Sequence, residues 1–133
     1  MSDIEEFLAG SSFGVAGASA DRQKYGNKVL RAYLQNGYAV VPIHPHQSLI
    51  EGQKVYPDLA SAPPIESLSI ITPPLVTEQV VEQAIAAGVK HVWMQPGAES
   101  KVAIDRAQAA GLTVIAGGPC VLVALGFRDQ PQP

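Results

Sequence analysis

Strand-length apolar runs alternate along this chain with stretches of helical periodicity, and no other feature narrows the fold as much. The runs Phe13-Gly14-Val15-Ala16, Tyr38-Ala39-Val40-Val41-Pro42-Ile43, Leu68-Ser69-Ile70-Ile71-Thr72, His91-Val92-Trp93-Met94 and Leu112-Thr113-Val114-Ile115-Ala116 each read as a buried strand. Helical spacing follows the first run from Asn27 to Leu34 and the third from Leu75 to Ala87, with Val76, Val80, Ala84 and Ala87 on the inner face. It follows the fourth from Glu99 to Ala110 and, briefly, the fifth from Val121 to Leu125. Gly37, Gly88 and Gly111 stand where helices end, because glycine accepts the left-handed conformation past a C-terminus. Parallel strands need crossovers, so the alternation predicts an α/β, three-layer Rossmann-like fold: a mainly parallel five-stranded sheet with helices on both faces and the first strand central. Residues 47–64 are rich in turn chemistry and leave room for a short edge strand at Lys54-Val55-Tyr56. A short helix is expected over 3–10 and a flexible tail over about 129–133, and Pro42, lacking a ladder donor, belongs near a strand end.

At 133 residues the chain is expected to form one domain over 1–133. Its 47% of apolar residues suffices for a packed core, and 16% charged argues against a disordered or coiled-coil chain. No apolar run approaches the roughly 20 residues of a membrane span. The opening Met1-Ser2-Asp3-Ile4-Glu5-Glu6 places acids where a signal peptide has bases, so a cytoplasmic protein with no membrane association is expected. A single cysteine, Cys120, excludes an internal disulfide and a zinc-knuckle pattern, and the low pI with no interleaved basic and aromatic residues speaks against a nucleic-acid partner.

The stretch from Phe13 to Leu34 carries the strongest chemical signal. Read as strand, glycine loop and helix, it sets Gly17-Ala18-Ser19 at the carboxyl end of the first strand, where the next helix turns backbone N–H groups and its positive dipole end toward the crevice. Gly17 lets an anion approach the backbone and Ser19 adds a hydroxyl. Four of the nine Lys and Arg residues, Arg22, Lys24, Lys28 and Arg31, fall within ten positions of a chain whose net charge is −3. Such a local excess suits a polyphosphate ligand. The same turn also serves as a plain connection in parallel sheets; the adjoining bases favour the anion site.

The loop is not a dinucleotide fingerprint. Its glycines, Gly14 and Gly17, stand at i and i+3, and the second strand ends at His44 where a nicotinamide enzyme places an Asp or Glu for the ribose. All strand exits carry turn residues (Gly17-Ala18-Ser19, His44-Pro45, Thr72-Pro73-Pro74, Gln95-Pro96-Gly97, Gly117-Gly118-Pro119), and in a parallel sheet they line one edge. A ligand is expected there, at the switch point between the first and third strands. His44 and His46 have no Cys or carboxylate near them and are read as surface or ligand contacts, with no metal site. Cys120 is read as a small hydrophobe, and no catalytic residue is assigned.

Over nearly its whole length the chain resembles the small stand-alone CoA-binding proteins, whose Rossmann-like domain is also found in the α subunit of succinyl-CoA synthetase. The stretches that carry the resemblance are Gly14-Val15-Ala16-Gly17-Ala18-Ser19, Lys24-Tyr25-Gly26, Gly37 to Pro45, Gly52 to Leu59, Val92 to Ala98 and Ala110 to Ala116. The resemblance implies a site for coenzyme A or an acyl-CoA in which Gly17, Ala18, Ser19, Lys24, Tyr25 and Gly26 hold phosphate, while His44, Pro45, Thr72, Pro73 and Pro74 flank the nucleotide. Arg22 joins this set through the charge cluster. The chain departs from many relatives at His44, where they have Asn, at the end of the third strand, and at Gly117-Gly118-Pro119, where they have Asp-Arg. The synthetase's phosphorylated histidine belongs to another domain, so ligase chemistry does not carry over.

The sequence therefore points to a binding protein for CoA or a short acyl-CoA that does not change its ligand, as a carrier or a regulatory sensor. The alternative is a component of an NAD(P)-type oxidoreductase or transferase, with Cys120 or a histidine as its reactive group. An enzyme would need a positioned acid, base or nucleophile beside the ligand's reactive end, and the sequence supplies no such pair.

Overall fold

The computed structural model describes residues 2–129. Helix α1 (Asp3–Leu8) is held at its start by a reciprocal capping box between Ser2 and Glu5, and it leads into strand β1 (Phe13–Ala16). Helix α2 (Tyr25–Gln35) and strand β2 (Val40–Ile43) follow, then a small antiparallel hairpin of β3 (Leu49–Ile50) and β4 (Gln53–Lys54). Strand β5 (Ser67–Ile70), helix α3 (Pro74–Ala86), strand β6 (His91–Met94), helix α4 (Lys101–Ala109), strand β7 (Thr113–Ile115) and helix α5 (Val121–Ala124) complete the described chain.

The main sheet is five-stranded and parallel throughout, in the order β2-β1-β5-β6-β7. The α/β, Rossmann-like expectation holds, with one correction: β5 is the middle strand and β1 lies second. The chain goes out from β1 to β2 and there spends the next residues on the β3–β4 hairpin instead of a further full strand. The expected edge strand at Lys54-Val55-Tyr56 is reduced to one parallel bridge between Tyr56 and Ile43. Tyr56 N donates to Pro42 O at 3.1 Å, so Pro42 turns its donorless nitrogen toward the outer edge and away from β1, where proline costs the sheet least.

Alternation along the strands divides the core. On one face Phe13, Val15, Trp93 and Ile115 pack against Phe7 of α1, Val29, Leu30 and Tyr33 of α2, and Val121 of α5. On the other, Leu68, Ile70, Val92 and Met94 pack against Val80, Val81 and Ala84 of α3 and Ala103 and Ala107 of α4. Two serines of β5 point to the first face and are fully buried. Ser67 Oγ donates to Phe7 O at 2.7 Å and Ser69 Oγ shares a 2.6 Å hydrogen bond with Tyr33 OH, so neither hydroxyl is left unpaired.

Several element boundaries and faces differ from the sequence reading. Helix α2 begins at Tyr25, two residues before Asn27, and so takes Tyr25 and Gly26 out of the loop. The buried stripe of α3 is Thr77, Val80, Val81 and Ala84, while Val76 and Ala87 are exposed. Thr77 sets this phase, since its hydroxyl bonds Thr72 Oγ1 at 2.7 Å. Asp129, assigned to the flexible tail, is hydrogen-bonded to Arg31 at 2.9 Å; the rest of that tail, 130–133, lies outside the described residues. Among the described residues no helix is long and apolar enough to cross a membrane.

Candidate functional site

The strand order reverses between β1 and β5, and the carboxyl ends of β1, β2 and β5 open there into a cleft of about 470 Å³. Parallel-sheet folds bind ligands at this position. Gly17, Ala18, Ser19, Lys24, Tyr25, Gly26, His44, Pro45, Thr72 and Pro73 all line it, together with Ile71. Of the residues assigned to the nucleotide site from the sequence, Arg22 and Pro74 stand outside the lining, as do Lys28 and Arg31 of the basic cluster and the exits Gln95-Pro96-Gly97 and Gly117-Gly118-Pro119. Another cleft of about 440 Å³ lies at the amino ends of β5 and β6; Leu59, Pro63, Ile65 and Val89 make it apolar, and no charged side chain lines it.

Two glycines allow the loop to close as it does, for a reason other than ligand access. Gly17 has φ +92°, and a Cβ on it would lie 2.2 Å from Ile71 O, so β1 and β5 meet there backbone to backbone. A Cβ on Gly26 would lie 2.0 Å from Gly17 O, which lets the first turn of α2 sit directly on the loop. The loop is further tied by Asn27, fully buried, whose Nδ2 donates to Ser19 O at 2.9 Å. Ser19 Oγ accepts from Asp21 N at 3.1 Å and Lys24 N donates to Asp21 O at 3.0 Å. Helix α2 has Lys24 as its N-cap with no side-chain cap and no acid in its first turn. Its N–H groups and positive dipole end are thus available to an anion in the cleft.

The basic cluster is largely answered within the protein, which the sequence did not suggest. Arg22 forms an ion pair with Glu51 at the tip of the β3–β4 hairpin. Burial pushes the Glu51 carboxyl up, but hydrogen bonds from Asn27 and Arg22, with the charges of Arg22 and Arg31, outweigh it and hold the group below its ordinary value. Arg31 is buried; it bonds Asn27 Oδ1 at 2.7 Å and Asp129 at 2.9 Å, and Lys28 lies 3.6 Å from the same carboxylate. Lys24, exposed at the rim, is the cation that lines the cleft.

His44 Nδ1 accepts from the backbone N–H of His46 and Gln47, at 3.0 and 3.2 Å, so the imidazole caps its own turn. Burial, then the neighbouring His46, lower its pKa, which keeps the ring neutral at pH 7. On the opposite wall Thr72 is fixed by Thr77, and Pro73 and Pro74 start α3 without N–H groups of their own.

Behind Tyr25 lies a second polar group. Its hydroxyl donates to Gln95 Oε1 at 3.0 Å and lies 2.6 Å from Cys120 Sγ, while Val121 N donates to the same Gln95 oxygen at 2.9 Å. Burial, followed by the hydrogen bond and charge of Cys120, pushes the phenol well above its ordinary pKa, so it stays protonated. Gln95 is fully buried and its Nε2 has no acceptor among the described residues, an arrangement that costs about 1–3 kcal/mol unless relieved. Sequence reading assigned Gln95 to a turn and gave Asn27 and Glu51 no role. An Asn opening an amphipathic stretch carries no mark of its burial, and Glu51 carries none of its pairing, because their partners are distant in sequence.

The fold has counterparts among solved structures. A hypothetical protein from Pyrococcus horikoshii OT3 superposes with a TM-score of 0.86 at 31% identity, over 92% of this chain and 89% of that one. A conserved hypothetical protein from Pyrococcus furiosus gives 0.81 at 34% identity, over 86% and 99%. The dinucleotide forming acetyl-coenzyme A synthetase 1 of Ca. Korarchaeum cryptofilum, in complex with phosphate and ADP, gives 0.76 at 29% identity; the match covers 87% of this chain but 27% of the synthetase. The CoA binding domain family matches residues 11–126, and the chain belongs to that family.

Proposed function

We propose that the switch-point cleft binds coenzyme A, free or carrying a short acyl group, and that the protein holds this ligand as a carrier or sensor without transforming it. The observation that carries the reading is the convergence on one cleft of the Gly17-Ala18-Ser19 loop, the uncapped start of α2 with Lys24, His44-Pro45, and Thr72-Pro73. Its volume lies in the range of small-molecule sites. Family membership supports the ligand. In this reading the backbone N–H groups of the loop and of Tyr25 and Gly26 receive phosphate oxygens, Lys24 supplies the charge-assisted contact, and His44, Pro45, Thr72, Pro73 and Pro74 flank the nucleotide. Arg22 takes part indirectly, by anchoring the β3–β4 hairpin beside the loop through Glu51. The groups facing the cleft are backbone donors, one lysine, an imidazole turned to its own backbone, and the hydroxyls of Ser19, Tyr25 and Thr72, each engaged within the protein, which suits holding a ligand better than acid–base work.

Isothermal titration calorimetry with CoA, dephospho-CoA and NAD tests the reading. CoA is expected to bind most tightly, and Lys24→Ala to weaken it about tenfold with the fold unchanged, the scale of one charge-assisted contact. Raising salt should weaken CoA more than dephospho-CoA, since Lys24 is exposed and screened. NAD binding as tightly as CoA would instead favour a nicotinamide-dependent component.

A further inference from the structure

We propose that Cys120 is a thiol–disulfide exchange site for the sulfur end of a nucleotide-linked disulfide seated in the cleft, and that Tyr25 joins the two sites. The inference rests on the CoA reading for the identity of the nucleotide. Tyr25 lines the cleft, and its hydroxyl lies 2.6 Å from Cys120 Sγ. Cys120 is half-buried at the end of the exposed Gly117-Gly118-Pro119 loop, which Trp93 Nε1 pins through Pro119 O at 3.0 Å. The thiol is therefore placed by the core yet open to solvent.

Hydrogen-bond directions around it are forced. Val121 N–H can only donate, so the Gln95 amide must turn its oxygen to Val121 and Tyr25. Its Nε2 is then left inside the same cluster, fully buried and with no acceptor among the described residues. A polar group prepared for an acceptor that the chain does not supply is a second mark of a ligand here. With the phenol proton directed to Gln95, the Cys120 S–H donates to the phenol oxygen. Rotation of the phenol toward sulfur supplies a donor to the thiolate instead. The reaction balances without another oxidant. Cys120 gives its proton to solvent, the thiolate attacks one sulfur of the ligand disulfide, the ligand S–S bond breaks, and the second half leaves as a thiolate that is protonated to a thiol. Cys120 is oxidised from thiol to mixed disulfide, the leaving half is reduced from disulfide to thiol, and the retained half keeps its oxidation level.

The test compares CoA disulfide with cystamine, a disulfide lacking the nucleotide, by intact mass over time on the full chain. A single adduct at Cys120 is expected, removed by reductant and absent in Cys120→Ser. It should form about tenfold or more faster with CoA disulfide, because binding in the cleft raises the local concentration of the sulfur. 3′-Phosphoadenosine 5′-diphosphate, which has no thiol, should suppress that advantage. Tyr25→Phe should move the rate–pH profile to higher pH, a change a merely structural role would not produce. Equal rates with the two disulfides, or no adduct while calorimetry shows CoA bound to Cys120→Ser, would overturn the inference and leave the CoA reading intact. Absence of CoA binding to the parent and to Cys120→Ser alike would overturn both.

Discussion

Gly26→Ala separates local propensity from tertiary contact, because the two give opposite signs. Alanine is the better helix former by about 1 kcal/mol in a helix interior, so a reading confined to α2 expects stabilisation. The structure places a Cβ at this position 2.0 Å from Gly17 O, where ordinary contacts begin at 3.4 Å. The first turn of α2 and the loop must then separate by about 1.4 Å. The neighbour is backbone, already fixed on its other side by the approach of Gly17 to Ile71, so neither partner yields easily. Overpacking of this kind costs about 1–3 kcal/mol, which offsets the propensity gain and leaves a net loss of up to about 2 kcal/mol. The same displacement moves Tyr25 and Lys24 relative to the loop, so CoA affinity is expected to fall by about tenfold or more even where the variant is folded. Urea unfolding followed at two wavelengths gives the stability and calorimetry gives the affinity. A variant at least as stable as the parent, with unchanged affinity, would refute the close approach of helix and loop and the site built on it.

The internal hydrogen bond between Tyr33 and Ser69 predicts that Tyr33→Phe, which strands a buried serine hydroxyl, loses about 1–3 kcal/mol in urea unfolding, and that adding Ser69→Ala to it costs little more. Glu51 and Asp129 both have carboxyls held below their ordinary values, so each contributes stability that is present above its unfolded pKa, 4.5 and 3.8, and is lost as pH falls through the lowered folded value. Thermal unfolding between pH 7 and pH 3 should show this acid loss, and Glu51→Gln should flatten it while lowering stability at neutral pH. Gly17→Val is expected to fail as a folded protein rather than merely as a ligand binder, since its Cβ would meet Ile71 O at 2.2 Å at φ +92°; circular dichroism showing native structure would contradict that geometry.

The layout of this protein was legible in its sequence wherever the cause is local. Alternating apolar runs and helical stretches, with glycines at the helix ends, follow from backbone geometry within a few residues, and they were enough to foresee a parallel sheet whose strand exits Gly17-Ala18-Ser19, His44-Pro45 and Thr72-Pro73 share one edge, whereas Tyr25 and Gly26 of the cleft lining came from the family resemblance. What only the tertiary structure decided concerns groups that are far apart in the chain. The four clustered bases looked like a surplus for phosphate, but folding brings Glu51 to Arg22 and Asp129 to Arg31 and Lys28, leaving Lys24 as the cation on the cleft. Gly17 looked like room for a ligand, yet it is required by the backbone of β5, and Gly26 by Gly17. The joining of Tyr25, Gln95 and Cys120 brings together the start of α2, the end of β6 and the start of α5, which are 70 and 95 residues from Tyr25 along the chain. Coulomb attraction, steric exclusion and hydrogen bonding act at distances of a few ångströms in space, and no spacing along the chain encodes which distant groups will share them.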